Sequence, residues 1–390
     1  MLCTGIGQMY SVHQHWDPLR VCVVGRSYAP KFYDYIKNSQ VRDVFYQIAE
    51  ETEEDYQKLI KTLKAFDVKI IRPSVSDNYQ DYLVADNKIL PPPMTPRDYT
   101  AMIGNKFYIH NQYNLKNSQH IWKQLAGIDW PACPRNINEF NALSNDIKNE
   151  LKAFDKEKFI NLYNDCYVDL ITDLTANNNP IVYGSKINSA QVTRIGKDLY
   201  FGTVEGSNFD HQYIDNISPF FSDYRCHTVD VEGHSDGTFC PVKPGLIVSL
   251  RDINTYQNTF PDWEVIYLPY QSWDRVKPFL NLKSKNQGKW WVPGHELNDE
   301  FTEYVETWMS HWVGYVEETV FDVNMLVINE NNVICNNYNE QVFEAFERHN
   351  ITPHVVNFRH RYFWDGGLHC ITSDIHRKGS QKDYFPDRSS

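Results

Sequence analysis

Four short stretches of the chain repeat one pattern: an apolar run, a turn of Gly, Asn, Lys or Pro, and a second apolar run. They are AMIGNKFYIHN (101–111), TRIGKDLYFGT (193–203), CPVKPGLIVSL (240–250) and MLVINENNVICNN (325–337). Apolar, β-branched and aromatic residues on either side of such a turn predict β-hairpins. A fifth run, LRVCVVGRS (19–27), predicts a buried strand early in the chain. In VFYQIAEETEEDYQKLIKTLKAF (44–66) and NEQVFEAFERHN (339–350), apolar residues return every three or four positions, the spacing of one helix face. The unit is therefore a hairpin plus a helix, used about five times. Stacked units bury faces that one unit cannot, so a closed ring of blades is one reading. An α+β domain whose hairpins merely look alike fits the periodicity equally well. The proline cluster PPPMTP (91–96) runs straight into a hairpin as a rigid entry, and no stretch reads as a linker. The whole of 1–390 reads as one domain.

Composition narrows the function classes. With 42% apolar and 23% charged residues, the chain can build a large core and is not disordered. Its 50 acidic residues outnumber 38 basic ones, and no run of Lys and Arg forms a nucleic-acid footprint, so nucleic acid is not an expected partner. No apolar run is long enough to span a membrane, and the start carries no targeting pattern, so a soluble cytoplasmic protein is expected. Eight scattered cysteines without a CxxC pair predict reduced thiols and no metal site. No cofactor is expected.

Candidate chemistry sits beside the hairpins. Asp98 precedes the 101–111 hairpin in TPRDYTAMIG, and His234 and Asp236 precede another in EGHSDGTF. Cys370 follows a glycine pair in DGGLHCIT (365–372). In a ring, such residues converge on the axis. A cysteine is the strongest neutral-pH nucleophile of a protein, provided that a nearby cation or His favours its thiolate. The diglycine permits backbone angles closed to other residues and a close approach to the sulfur. A His can take and return protons, and two carboxylates suit a planar guanidinium. Taken singly, each residue has a plainer reading: Cys370 as a small buried hydrophobe, His234 as a turn cap, Asp98 as a turn or surface ion-pair residue.

Five ordered blocks carry a resemblance: WDPLRVCVVGR (16–26), TPRDYTAMIGN (95–105), IGKDLYF (195–201), GHSDGTFCPVKPGLIVS (233–249) and GGLHCITSDIHRKG (366–379). In them the chain resembles the arginine:glycine amidinotransferase family of the guanidine-modifying superfamily. The resemblance implies an α/β fold of the pentein type, a five-bladed propeller of pseudo-fivefold ββαβ repeats around a central active site. It implies that Cys370 attacks a guanidinium carbon to give a covalent amidino-cysteine. His234 would protonate the departing amine and deprotonate the incoming one, and Asp98 and Asp236 would grip the guanidinium nitrogens. Arginine would be the donor, a primary amine the acceptor and ornithine the product, in two half-reactions. A homodimer is expected.

The sequence also departs from the family pattern. The family's carboxylate that orients the His falls on Asn188, an amide that can hold an imidazole but cannot neutralise an imidazolium. Gly233 replaces a Met before the His and leaves more room for the acceptor. Glu317 and Glu318 stand where small hydroxyl residues meet the amino-acid end of arginine, favouring an ammonium unless Arg251 compensates. His369, beside Cys370, completes the expected substrate-binding set of Asp98, Asp236, Arg251, Gly233, Glu318 and His369. Two other functions stay open: hydrolysis of the same intermediate to citrulline and ammonia, and a weak guanidine-binding role suggested by Asn188.

Overall fold

A computed structural model describes residues 9–84, 88–110, 166–185, 187–203, 211–231, 233–250, 256–268, 290–314 and 320–388. All four predicted hairpins form, and each gains a third strand parallel to its second. One sheet joins Thr100–Ile103, Lys106–His110 and Ile181–Ser185; the next joins Val192–Ile195, Asp198–Thr203 and Arg225–Asp230. Two more join Phe239–Lys243, Leu246–Ser249 and Glu264–Tyr267, and Leu326–Asn329, Asn332–Cys335 and Thr352–Val355. The early strand Leu19–Val24 finds its antiparallel partner at the other end of the chain, in Thr372–Arg377, and pairs in parallel with Lys69–Ile71. All five sheets share this topology, and a two-stranded ribbon, Leu83–Val84 with Lys88–Ile89, stands apart.

A parallel pair needs a crossover, and helices supply it. Ser39–Lys64 is the longest; Asn38 caps its first turn by accepting from Gln40 N and Val41 N. Its buried face carries Val41, Val44, Phe45, Ile48, Tyr56, Leu59 and Leu63, the predicted three-and-four spacing. Glu340–Arg348 is capped in the same way by Asn339. In the aromatic segment 207–227, the described residues form the crossover helix His211–Ile217, a 3-10 turn Ser218–Phe221 and a strand from Arg225. Phe221 is buried in the core, so that part of the segment packs a sheet. No helix among the described residues is long and apolar enough to cross a membrane.

Four of the sheets meet at one buried carboxylate. Asp374 accepts from Arg97 Nη1 at 3.0 Å, from Arg194 Nη2 at 2.9 and 3.0 Å, and from Arg377 Nε at 2.7 Å. Burial alone would raise this carboxyl, but Arg194, Arg97 and Arg377 hold it well below the usual range. Three cations around one anion need more acceptors in a dry interior. Backbone carbonyls provide them: Arg97 donates to His369 O and Thr372 O, Arg194 to Met102 O, and Arg377 to Asp17 O and Val327 O. These bonds tie together strands of four sheets, and one of them holds the carbonyl of His369, the residue before Cys370.

Candidate active site

Each catalytic candidate lies in the short turn that feeds a strand of one of the five sheets. Pro96–Asp98 is a 3-10 turn with proline at its start, where a missing N–H costs nothing. It delivers Asp98 two residues before a strand. Ser235–Gly237 is the matching turn, entered through His234, whose carbonyl accepts from Gly237 N. Cys370 stands two residues before Thr372–Arg377 in a turn closed by Ile371 N to Gly367 O and Thr372 N to His369 O. The fold thus gathers Cys370, Asp236, Asp98 and His234 into one mutually interacting cluster.

The glycine pair owes its place to packing. A Cβ on Gly367 would lie 2.6 Å from Asn324 Oδ1 and 2.8 Å from Phe321, and one on Gly366 would lie 2.9 Å from Thr95 Cγ2. Neither glycine has a positive φ; the left-handed residue of the segment is Asp365, at φ +51°. The expectation that the pair serves special backbone angles is therefore corrected.

Asn324 is a site residue that the sequence reading missed. Fully buried, it accepts at Oδ1 from His369 N (2.9 Å) and Cys370 N (3.1 Å). Its Nδ2 donates to Asp236 O (3.1 Å) and to the Cys370 sulfur (3.0 Å). A single amide thus sets the backbone of the nucleophile, the sulfur and the neighbouring carboxylate. A signal was present: Asn324 stands two residues before the first strand of the fourth hairpin, as Asp98 does before its own and Cys370 before Thr372–Arg377.

Electrostatics divide the titratable groups. Asp236 Oδ2 accepts from His369 Nδ1 at 2.8 Å and from the Cys370 thiol at 3.4 Å. Burial would raise Asp236, but the hydrogen bond from His369 and the charges of His234 and Arg97 outweigh it and keep the carboxylate ionised. Burial and Arg97 push His369 down to about 4, so it is a neutral imidazole with its proton on Nδ1. His369, expected to bind substrate, is buried, and its Nδ1 bonds Asp236. Asp98 is pushed up to about 6, by burial first and then by Asp236 and Asp365. Burial opposes protonation of His234, but Asp98, Asp236 and Asp365 prevail and hold it above the ordinary imidazole range. His234 Nδ1 lies 3.4 Å from Asp98 Oδ1, and its side chain is 44% exposed, so the ring faces the open side of the cluster. Burial, Asp236 and Asp98 push the Cys370 thiol well up. The expectation that a neighbouring cation or His lowers it is not met among the described residues.

The remaining expectations divide as follows. Asn188 is buried, and its Oδ1 accepts from Gln191 N at 3.0 Å. Among the described residues no hydrogen bond joins Asn188 to His234, the ring it was expected to orient. Asn188→Ala is expected to cost about 1–2 kcal/mol of stability through the lost buried hydrogen bond, with the pH profile of activity unmoved; thermal melting and rate measurements check this. Gly233 is exposed, and a Cβ there would meet nothing within 4 Å, consistent with room beside His234. Arg251, Glu317 and Glu318 lie outside the described residues. No group of three His, Cys, Asp or Glu among the described residues could hold a metal ion.

No family model matches the chain. Mitochondrial glycine amidinotransferase of Xenopus laevis is 22% identical, with 96% of this chain and 84% of that protein aligned. Inosamine-phosphate amidinotransferase 1 of Streptomyces glaucescens is 21% identical over 96% and 99%. L-arginine:L-lysine amidinotransferase of Pseudomonas savastanoi pv. phaseolicola is 24% identical over 50% and 46%. Among solved structures, the amidinotransferase SxtG of Microseira wollei superposes with a TM-score of 0.61 at 16% identity, covering 96% of this chain and 99% of that one. Over nearly its whole length the chain is thus similar to amidinotransferases, at low identity. Inosamine-phosphate amidinotransferase StrB1 of Streptomyces griseus shares the fold at a TM-score of 0.59 and 17% identity, over 97% and 99%. The turns before three of the hairpins supply Asp98, Asp236 and Asn324, the turn before Thr372–Arg377 supplies Cys370, and the turn before the remaining hairpin holds Asn188.

Proposed function

We propose that the chain is an enzyme that moves the amidino group of arginine to a primary amine through a covalent amidino-cysteine on Cys370, releasing ornithine. The observation that carries this reading is the pairing of a protonated thiol with carboxylates: Cys370 lies against Asp236 and within the field of Asp98 and Asp365. Such a site lacks one positive charge, and a guanidinium brings it, together with planar N–H donors that match Asp98 and Asp236. Its arrival offsets the carboxylates that hold the thiol proton, so the thiolate forms where its target carbon lies.

The thiol proton passes to His234. The sulfur–carbon bond forms, the bond from carbon to the departing nitrogen breaks, and His234 returns the proton to that amine. Asp98 and Asp236 hold the cationic amidino group during the exchange. An acceptor amine then gives a proton to His234 and attacks the same carbon, and the sulfur leaves. We read the five sheets as blades of a ring closed by the pairing of the chain ends, one domain in all. The open space at Gly233 suits acceptors larger than glycine.

The test is incubation with arginine and a panel of amines, with mass analysis of products. Ornithine is expected only when an acceptor is present, in equal amount with a new guanidino compound, and δ-labelled ornithine should exchange into arginine without any acceptor. Citrulline and ammonia at a rate indifferent to amines would replace this reading with hydrolysis.

A further inference from the structure

We propose that Asn324 is a catalytic residue, whose Nδ2 donates the hydrogen bond that stabilises the sulfur of Cys370 each time it carries negative charge; this rests on the amidino-transfer reading of the site. The amide nitrogen lies 3.0 Å from the sulfur. Among the described residues it is the group that donates to the sulfur; Asp236 Oδ2, at 3.4 Å, accepts from it. When the thiol proton leaves, the bond to Asp236 is lost and the bond from Asn324 remains.

The partners of the amide fix which of its atoms meets the sulfur. A primary amide offers two N–H donors and an oxygen with two lone pairs, and all four are used. Oδ1 faces the backbone N–H groups of His369 at 2.9 Å and Cys370 at 3.1 Å, while Nδ2 faces the carbonyl of Asp236 at 3.1 Å and the sulfur. Turning the amide over would set N–H against N–H and oxygen against carbonyl oxygen. Asn324 is fully buried, and a second buried amide holds its backbone: Asn336 Nδ2 donates to Asn324 O at 3.0 Å and to Phe321 O at 2.8 Å. Gly367 leaves the room, since a Cβ there would fall 2.9 Å from Asn324 Cβ. A donor held in this way needs no reorganisation when charge develops on the sulfur.

The surrounding charges account for the residue type. Asp98 and Asn324 both stand two residues before the first strand of a hairpin, one a carboxylate and the other an amide. A carboxylate at 324 would oppose the thiolate, as Asp236 already does. A Lys or Arg would favour the thiolate but repel a guanidinium from it. A neutral N–H favours the charged sulfur without opposing the cation of the substrate. Burial, Asp236 and Asp98 hold the proton on the thiol, and the bond from Asn324 acts against them. The thiolate exists twice in a turnover. It forms first when the thiol proton passes to His234, and again when the acceptor has attacked and the sulfur–carbon bond breaks with its electron pair returning to sulfur. Nδ2 serves both moments.

Asn324→Asp and Asn324→Ser test this. Asp keeps the shape and the two bonds from backbone N–H groups, which favour its ionised form, but offers the sulfur no donor. Ser adds no charge and removes the amide. The rate at which iodoacetamide modifies Cys370 in the ligand-free protein at about pH 8, read by mass spectrometry of its peptide, reports the thiolate fraction. It is expected to fall about 10-fold or more in both variants, the equivalent of one lost hydrogen bond to a charged group. With arginine, kcat should fall about 10- to 100-fold for the same reason, in ornithine exchange and in transfer to the acceptor alike, while KM for arginine is not raised. A wild-type alkylation rate in either folded variant overturns the proposal, as does a raised KM with kcat intact, which would make Asn324 an organiser of the substrate pocket. Loss of the folding transition in both variants would make the amide structural and overturns it too. If the wild-type protein transfers no amidino group, the functional reading fails while alkylation still decides whether Asn324 stabilises the thiolate.

Discussion

Cys370→Ser is expected to lower turnover by at least about 10⁴-fold, the scale of removing the nucleophile from a covalent mechanism, and to abolish the covalent amidino adduct seen by mass spectrometry with arginine. The fold should persist, because a serine hydroxyl can still accept from Asn324 Nδ2, and the backbone bonds of residue 370 to Asn324 Oδ1 remain. Buried Cys22 and Cys240 have thiols pushed up to about 12 with burial the largest cause, and Cys335 is raised in the same way. They are inert by environment, so single replacements there should leave the rate intact. The thiol of Cys370 is also raised, by burial, Asp236 and Asp98, so thiolate absorbance near 240 nm should be absent at neutral pH in the ligand-free protein. Full activity in Cys370→Ser would end the covalent reading.

Asp236→Asn is the second large effect. The carboxylate binds the His369 ring and the Cys370 thiol and lies against Asn324 through its own carbonyl, so its loss removes a guanidinium partner and disturbs the sulfur. A drop of about 100-fold or more in kcat/KM is expected, from removing one partner of a desolvated charge pair. The sign on the thiol is opposite: with the nearest negative charge gone, Cys370 should ionise at lower pH, so the ligand-free variant should alkylate faster with iodoacetamide while turning over more slowly. Asp98→Asn should lower kcat/KM on a similar scale. In the wild type, Asp98 titrates near 6, so activity that depends on its charge is present above that pH and lost as pH falls through it. A collapse of melting temperature with kcat/KM preserved would make either residue structural.

Much of this site was legible before any coordinates. The hairpins, their helices and the polar residues before each strand follow from periods of two and of three to four and from turn residues, all properties of a few neighbouring positions. Asp98, His234, Asp236 and Cys370 stood out for the same reason: each sits at a fixed offset from a pattern that the eye can find. What the chain could not disclose locally, the tertiary structure decided. The strand Leu19–Val24 completes its sheet with Thr372–Arg377, and Asp374 gathers Arg97, Arg194 and Arg377 in a dry interior, because burial makes distant charges find one another. Asn324 came to hold the nucleophile, His369 turned to Asp236, and Asn188 turned to the backbone of Gln191. A hydrogen bond or a neighbouring charge depends on distances between residues far apart in sequence, and those distances exist only once the sheets have met.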